Sequence, residues 1–213
     1  MVEAILWDND GVLVDTERLY FQATQRALAG AGIDLTLDLY KEVSLRQGKS
    51  LFSLATQRGL TAEQIAALRL ERDEIYTGLL RSEQLLFSGV LETLRELHKK
   101  YRMAIVTSSR RVHFDVMHEK TEISEFFEFV LAREDYGQSK PNPEPYLTAL
   151  RMLSVPAEKC VAIEDTERGL AAARAAKLRC VMVPHEFTRE CGFAGAMAVI
   201  EAAAQLPAIL ASL

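Results

Sequence analysis

Two aspartates separated by a single residue close the first apolar run of the chain, Trp7-Asp8-Asn9-Asp10-Gly11. In an extended backbone residues two apart point to the same side, so both carboxylates can face one pocket, and Gly11 lets the chain turn away. Two carboxylates that close repel each other. Protonating one, or placing a divalent cation between them, relieves the repulsion, and hard oxygen ligands with no His or Cys beside them favour magnesium over zinc. Asp, Asn and Gly are also the commonest turn formers, so the segment alone reads equally well as a solvated turn.

Three later apolar runs also end in groups that can do chemistry. Met103 to Val106 leads into Thr107-Ser108-Ser109-Arg110, Phe129 to Ala132 into a loop holding Ser139-Lys140-Pro141-Asn142-Pro143, and Val161 to Ile163 into Glu164-Asp165-Thr166. Each has a plain structural reading: hydroxyls that cap a helix, a solvated lysine in a proline-rich turn, an acidic first helical turn. Free hydroxyls and helix N-terminal N–H groups are also what binds a phosphate oxygen. In open α/β sheets the ligand sits outside the carboxyl ends of the strands, which would gather Asp8, Asp10, Thr107, Lys140, Glu164 and Asp165 in one place. The plain readings would have to hold independently at every one of these strand ends.

A sheet that positions them is visible in the pattern. Val2 to Trp7, Met103 to Val106, Phe129 to Ala132, Val161 to Ile163 and Cys180 to Val183 are near-continuous apolar runs, as expected of strands covered by helices on both faces. Helical patterns separate them: Val90 to Lys100, Pro145 to Leu153 and the alanine-rich Leu170 to Leu178. The expectation is an α/β fold, a doubly wound, Rossmann-like parallel sheet. Between about Thr16 and Glu83 the alternation stops and the pattern is helical throughout. Leu19, Ala23 and Ala27 form one stripe, and Thr61-Ala62-Glu63-Gln64 is a capping box opening a helix carrying Ile65, Leu68, Ile75 and Leu79. The expected organisation is a core of residues 1–15 and 84–213 with an all-helical domain, 16–83, inserted after strand one.

Composition narrows the function classes. The 213 residues are 49% hydrophobic and 26% charged, the balance of a globular chain with a real core, and the 25 Lys and Arg against 30 Asp and Glu include no basic cluster. Nucleic acid as the principal ligand is thereby disfavoured. Cys160, Cys180 and Cys191 show no Cys-x-x-Cys spacing; the first two begin apolar runs, where a thiol is a small hydrophobe suited to a reducing cytoplasm. Glu3, Asp8 and Asp10 leave no basic, apolar leader at the start. Glu201, Gln205 and Pro207 interrupt the apolar tail from Ala194 to Leu213, which reads as a short strand and an amphipathic helix rather than a membrane span. A cytoplasmic protein without a membrane partner is expected, with monomer as the default.

Taken together, Asp8-Asn9-Asp10-Gly11-Val12-Leu13-Val14-Asp15-Thr16-Glu17, Ile105-Val106-Thr107-Ser108, Lys140-Pro141-Asn142-Pro143 and Ile163-Glu164-Asp165 resemble, in order, the four motifs of the haloacid dehalogenase superfamily. The resemblance covers essentially the whole chain and is to the subgroup with a helical cap after strand one, as in phosphoglycolate phosphatases and β-phosphoglucomutases. Asn9 departs from the pattern, which usually has a bulky apolar residue there. By this resemblance Asp8 would attack phosphorus to form an aspartyl-phosphate, and Asp10 would protonate the leaving oxygen and then deprotonate water. Asp8, the Asp10 carbonyl and Asp165 would hold Mg2+, with Glu164 ligating directly or through water. Thr107, Ser108 and Lys140 would bind the phosphoryl oxygens.

Within the superfamily, Asp10 argues for phosphate esters over halides, because an alkoxide leaving group needs a proton. The implied function is a magnesium-dependent phosphatase acting on a small phosphorylated metabolite, of the sugar phosphate or phosphoglycolate type. A β-phosphoglucomutase-like mutase is the rival, but Tyr20 stands where those enzymes have histidine and Leu51 where they have arginine. A phosphate-binding protein without turnover is a remoter alternative. Arg46, Lys49 and Ser50 are candidates in the inserted domain for contacting the leaving group, although a solvated helix end explains them as well.

Overall fold

The computed structural model describes residues 1–213, which divide into two compact units, Met1–Asp15 with Leu85–Leu213, and Thr16–Gln84. Six strands are present: β1 (Ala4–Trp7), β2 (Arg102–Val106), β3 (Val130–Leu131), β4 (Cys160–Glu164), β5 (Arg179–Met182) and β6 (Ala198–Val199). Nine α-helices accompany them: α1 (Glu17–Gly30), α2 (Leu37–Tyr40), α3 (Ser53–Gln57), α4 (Ala62–Ser82), α5 (Val90–Leu97), α6 (Arg111–His118), α7 (Glu144–Leu153), α8 (Glu167–Ala175) and α9 (Leu206–Ala211).

In the first unit the strands form one sheet in the order β3-β2-β1-β4-β5-β6, and every pairing is parallel. Alternate residues of each strand serve opposite faces. Ile5, Trp7, Met103, Ile105, Val161, Ile163 and Val181 pack with Val90, Leu94 and Leu97 of α5, Phe114 of α6 and Leu206 and Leu210 of α9. Ala4, Leu6, Ala104, Val106, Ala162 and Cys180 pack instead with Tyr146, Ala149 and Leu153 of α7 and Leu170, Ala172 and Ala173 of α8. The five expected strands are all there, the sixth coming from the tail read as a short strand and a helix. Both central cysteines are buried, and burial pushes the Cys160 thiol up to about 11.

The expected helical interval is helical, with a π-helical turn over Lys41–Arg46 between α2 and α3. Thr61 and Gln64 make the anticipated reciprocal capping box. The fully buried face of α4 carries Arg72, Tyr76 and Leu80, and Ile65, Leu68, Ile75 and Leu79 flank it half-buried. Arg72 lies inside because its guanidinium covers the rings of Tyr20, at 4.5 Å, and Phe52, at 5.5 Å, while Nε donates to Asp73 at 2.8 Å. Tyr40 and Glu17 are hydrogen-bonded within the same cluster. No helix is long and apolar enough to cross a membrane.

Leu94, fully buried against the sheet, has little freedom to be replaced. Leu94→Ala is expected to remove about 3 kcal/mol of stability, read as a lower denaturant midpoint at an unchanged slope.

Candidate active site

The strand ends converge as the sheet topology requires, at the C-terminal edge where β1 lies between β2 and β4. Asp8 continues the pairing past β1, its N–H donating to the Ile163 carbonyl at 2.9 Å. Beyond it the backbone winds around one carbonyl. The oxygen of Asn9 accepts from the N–H groups of Leu13 at 2.8 Å and Val14 at 3.1 Å, and Gly11 N–H donates to Val14 O at 2.8 Å. Gly11 has a φ of +80°, and a Cβ there would stand 2.3 Å from Asp165 Oδ2 and 2.8 Å from His185 Nε2. The turn demands glycine for conformation and for space alike.

A buried lysine ties three strand ends together. Lys140 Nζ donates to Asp8 Oδ1 at 2.8 Å, Glu164 Oε1 at 2.6 Å and the Val106 carbonyl at 2.8 Å, which uses all of its protons. Burial works against its charge, but Asp8 and Glu164 outweigh burial and hold its pKa above the ordinary lysine value. Burial pushes Asp8 up to about 7; Lys140 opposes the rise and Glu164 adds to it. Burial likewise raises Asp165, against the hydrogen bond that His185 Nε2 makes to Asp165 Oδ2 at 3.0 Å.

Asp8, Glu164 and Asp165 each bring a carboxylate oxygen within 4.8 Å of the other two, a group that could hold a metal ion. Asp165 Oδ1 and Glu164 Oε2 are both buried with no hydrogen-bond partner, acceptors that a cation would satisfy. Glu164 is more committed than expected of a simple ligand. Its Oε1 accepts from both Lys140 and the Tyr146 hydroxyl, the latter at 2.5 Å, and its Oε2 lies against Gly169 in the first turn of α8, where a Cβ would approach to 1.9 Å.

The Asp10 carboxylate stands outside that acidic group. Its Oδ2 accepts from Ser109 Oγ at 2.8 Å, Thr107 Oγ1 at 3.0 Å and Asn9 Nδ2 at 3.3 Å. Thr107 therefore does not cap the following helix, which starts at Arg111 with no side-chain cap; its hydroxyl accepts from Ser109 N–H and donates to Asp10. Ser108, half-buried, adjoins Thr107 at the end of β2. Arg46 and Lys49 belong to the other unit, where Arg46 pairs with Glu42 at 3.3 Å and Lys49 is exposed; Ser50 accepts from Arg69 at 3.0 Å.

Three residues of the site escaped the sequence reading. Ser109 had been grouped with helix caps. Tyr146, spaced three and seven residues before Ala149 and Leu153, reads as one more apolar position of its helix. His185 follows the end of β5, and the rule that ligands gather at strand ends would have found it had it been applied to the fifth strand.

Residues 5–183 match a protein family described as haloacid dehalogenase-like hydrolase. The chain belongs to the haloacid dehalogenase-like hydrolases. This hydrolase is 33% identical over 207 residues to the protein CbbY of Rhodobacter capsulatus, covering 92% of this chain and 91% of that one. It is 30% identical to a phosphorylated carbohydrates phosphatase of Thermotoga maritima, covering 82% of each. Among solved structures, CbbY from Rhodobacter sphaeroides in complex with phosphate superposes with a TM-score of 0.82 at 29% identity, covering 97% of this chain and 96% of that one. A variant of that CbbY in complex with xylulose-(1,5)-bisphosphate superposes with a TM-score of 0.83 at 28% identity, with the same coverage.

Adding a methyl group at position 11 tests how tightly the turn and the acidic group are coupled. Gly11→Ala is expected to lower stability by about 2 kcal/mol from the positive φ alone, and to displace Asp165 from His185, read as a changed His185 ring signal in NMR spectra.

Proposed function

We propose that this hydrolase is a magnesium-dependent phosphatase of small phosphorylated metabolites of the sugar phosphate type, working through an aspartyl-phosphate on Asp8. The observation that carries the reading is the division of labour between two aspartates on one strand end. Asp8 sits in a dry group with Lys140, Glu164 and Asp165, while Asp10 is held apart by two hydroxyls and an amide. The likeness to CbbY and to a phosphorylated carbohydrates phosphatase supports the substrate class.

Asp8 attacks phosphorus, and the bond between phosphorus and the ester oxygen breaks while Asp10 gives that oxygen its proton. Water then attacks the phosphorus of the aspartyl-phosphate, Asp10 takes a proton from it, and inorganic phosphate leaves with Asp8 restored. Lys140 keeps a positive charge beside the nucleophile, where the transferring group gains negative charge. Ser108 stands at the adjoining strand end as a donor for phosphoryl oxygens, and Thr107, whose hydroxyl proton lies on Asp10 in this structure, would turn to join it. Asp8, Asp165 and the Asp10 carbonyl would hold Mg2+, with Glu164 supporting them, and when bound the cation would neutralise phosphoryl charge. The helical unit would serve as a cap that excludes water and selects the leaving group, with Arg46 and Lys49 as candidates for that selection.

The mutase reading loses support from the cap positions that distinguish it. Tyr20 is occupied by Arg72, stacked at 4.5 Å, and by Tyr76 at 5.2 Å, and Leu51 is buried.

Asp8→Asn is expected to cut phosphate release from aryl and sugar phosphates by at least about 10³-fold, with folding retained by circular dichroism; near-normal turnover would overturn the nucleophile assignment. β-Glucose 1-phosphate should yield glucose and phosphate, with no efficient formation of glucose 6-phosphate.

Cation binding should be linked to protons. Because Asp8 is pushed up to about 7, it must lose a proton before it ligates, so Mg2+ affinity should rise with pH up to about 7 and then level off. Without the cation the folded chain holds a proton on Asp8 that the unfolded chain gives up near 3.8, so stability should fall as pH rises from 3.8 through about 7, and Mg2+ should reverse that fall. Calorimetry in two buffers of different ionisation heat and thermal melts with and without Mg2+ read the two effects.

A further inference from the structure

The residue between the two aspartates is fully buried and polar. Asn9 has no exposed surface, and every polar atom of its side chain has a partner. Nδ2 donates to Asp10 Oδ2 at 3.3 Å and to Met117 Sδ at 3.3 Å, and Oδ1 meets His118 Nε2 at 2.8 Å. These partners fix the amide's orientation. Turning it over would set its oxygen against a carboxylate and a thioether, neither of which offers a proton.

The histidine's tautomer follows from the amide. An amide oxygen only accepts, so His118 Nε2 carries the proton and Nδ1 accepts from the Thr121 hydroxyl at 2.8 Å. Burial holds the imidazole down at about 4, so it stays neutral, and the Phe114 ring lies against it at 4.4 Å between centroids. Every hydrogen in the line from Thr121 through His118 and Asn9 points toward Asp10. Donors arranged head to tail polarise one another, and the last N–H reaches an oxygen that Thr107 and Ser109 also hold.

An apolar side chain at position 9 would fill the same space without a partner. A buried amide needs one, because an unmatched polar group inside costs about 1–3 kcal/mol. His118 lies on the last turn of α6, far along the chain from Asn9, and supplies that partner. We propose that Asn9 and His118 are a positioning pair that orients the Asp10 carboxylate for proton transfer to the leaving group. The inference rests on the assignment of Asp10 as acid and base.

The test compares two leaving groups. A nitrophenyl phosphate releases an anion that needs no proton, whereas an alkyl ester such as a sugar phosphate releases an alkoxide that does. A mispositioned acid should therefore lower kcat/KM, which reports the steps up to formation of the aspartyl-phosphate, only on the second, whereas the later hydrolysis of that intermediate is common to both. Asn9→Leu and His118→Leu are each expected to lower kcat/KM on the sugar phosphate at least about tenfold more than on nitrophenyl phosphate, a fraction of the 10²–10⁴-fold effect of general acid catalysis. The double variant Asn9→Leu/His118→Leu, an apolar pair, should regain the melting temperature without regaining the sugar phosphate rate. Equal losses on both substrates, or recovery of stability and rate together in the double variant, would overturn the positioning role.

Asp10→Asn separates this inference from the reading beneath it. If Asp10→Asn shows no preference between the leaving groups, the acid assignment itself fails. If it shows the preference and the pair does not, only the positioning role fails. Should Asn9→Leu not fold, the half-buried Thr121→Val is measured in the same way: a selective loss of about two- to threefold is expected, and equal change on both substrates would count against the relay.

Discussion

One ammonium group holds the carboxyl edge of this sheet together. Lys140 joins Asp8 after β1, the carbonyl of Val106 at the end of β2 and Glu164 at the end of β4, so three strands share a single buried charge. Two buried carboxylates at such a place would otherwise repel each other with little water to screen them. The arrangement also sets what the acidic group can accept. Three acids, Asp8, Glu164 and Asp165, surround that one lysine, and two of their oxygens, Asp165 Oδ1 and Glu164 Oε2, are buried without a hydrogen-bond partner.

Around that anchor the two aspartates of one turn live in different surroundings. Asp8 is buried, beside a cation and two other acids. Asp10, two residues on, accepts hydrogen bonds from two hydroxyls and an amide. Two carboxylates two residues apart can therefore differ in how readily each takes up a proton, which is what a division of roles between them would require. The turn wound around the Asn9 carbonyl keeps them apart at fixed geometry.

The pattern of apolar runs carried the parallel sheet, and the polar ends of those runs carried Asp8, Asp10, Thr107, Lys140, Glu164 and Asp165. Both signals are local, written within a few residues of each strand. What escaped was non-local or chemically ambiguous. His118 meets Asn9 across most of the first half of the chain, and nothing near either residue announces the other. Tyr146 reads as an apolar helix position until its hydroxyl is seen on Glu164. Arg72 reads as solvent-facing until two aromatic rings are found beneath it. Side chains with an apolar body and a polar tip defeat a two-letter pattern, since either end may decide their place.

The two faces of the sheet differ in how many small side chains they carry. Ala4, Ala104 and Ala162 face α7 and α8, which answer with Ala149, Ala172 and Ala173, while Ile5, Trp7, Met103 and Ile105 face the opposite helices. Small residues on both sides let helix backbone come close to the sheet, and at the top of that thin seam Gly169 rests on Glu164. The seam therefore acts as a spacer of fixed gauge for the catalytic edge. A larger side chain at Ala172 or Ala173 would push α8 outward and with it Gly169 away from Glu164, so alanines in the middle of the seam share in setting the site's dimensions.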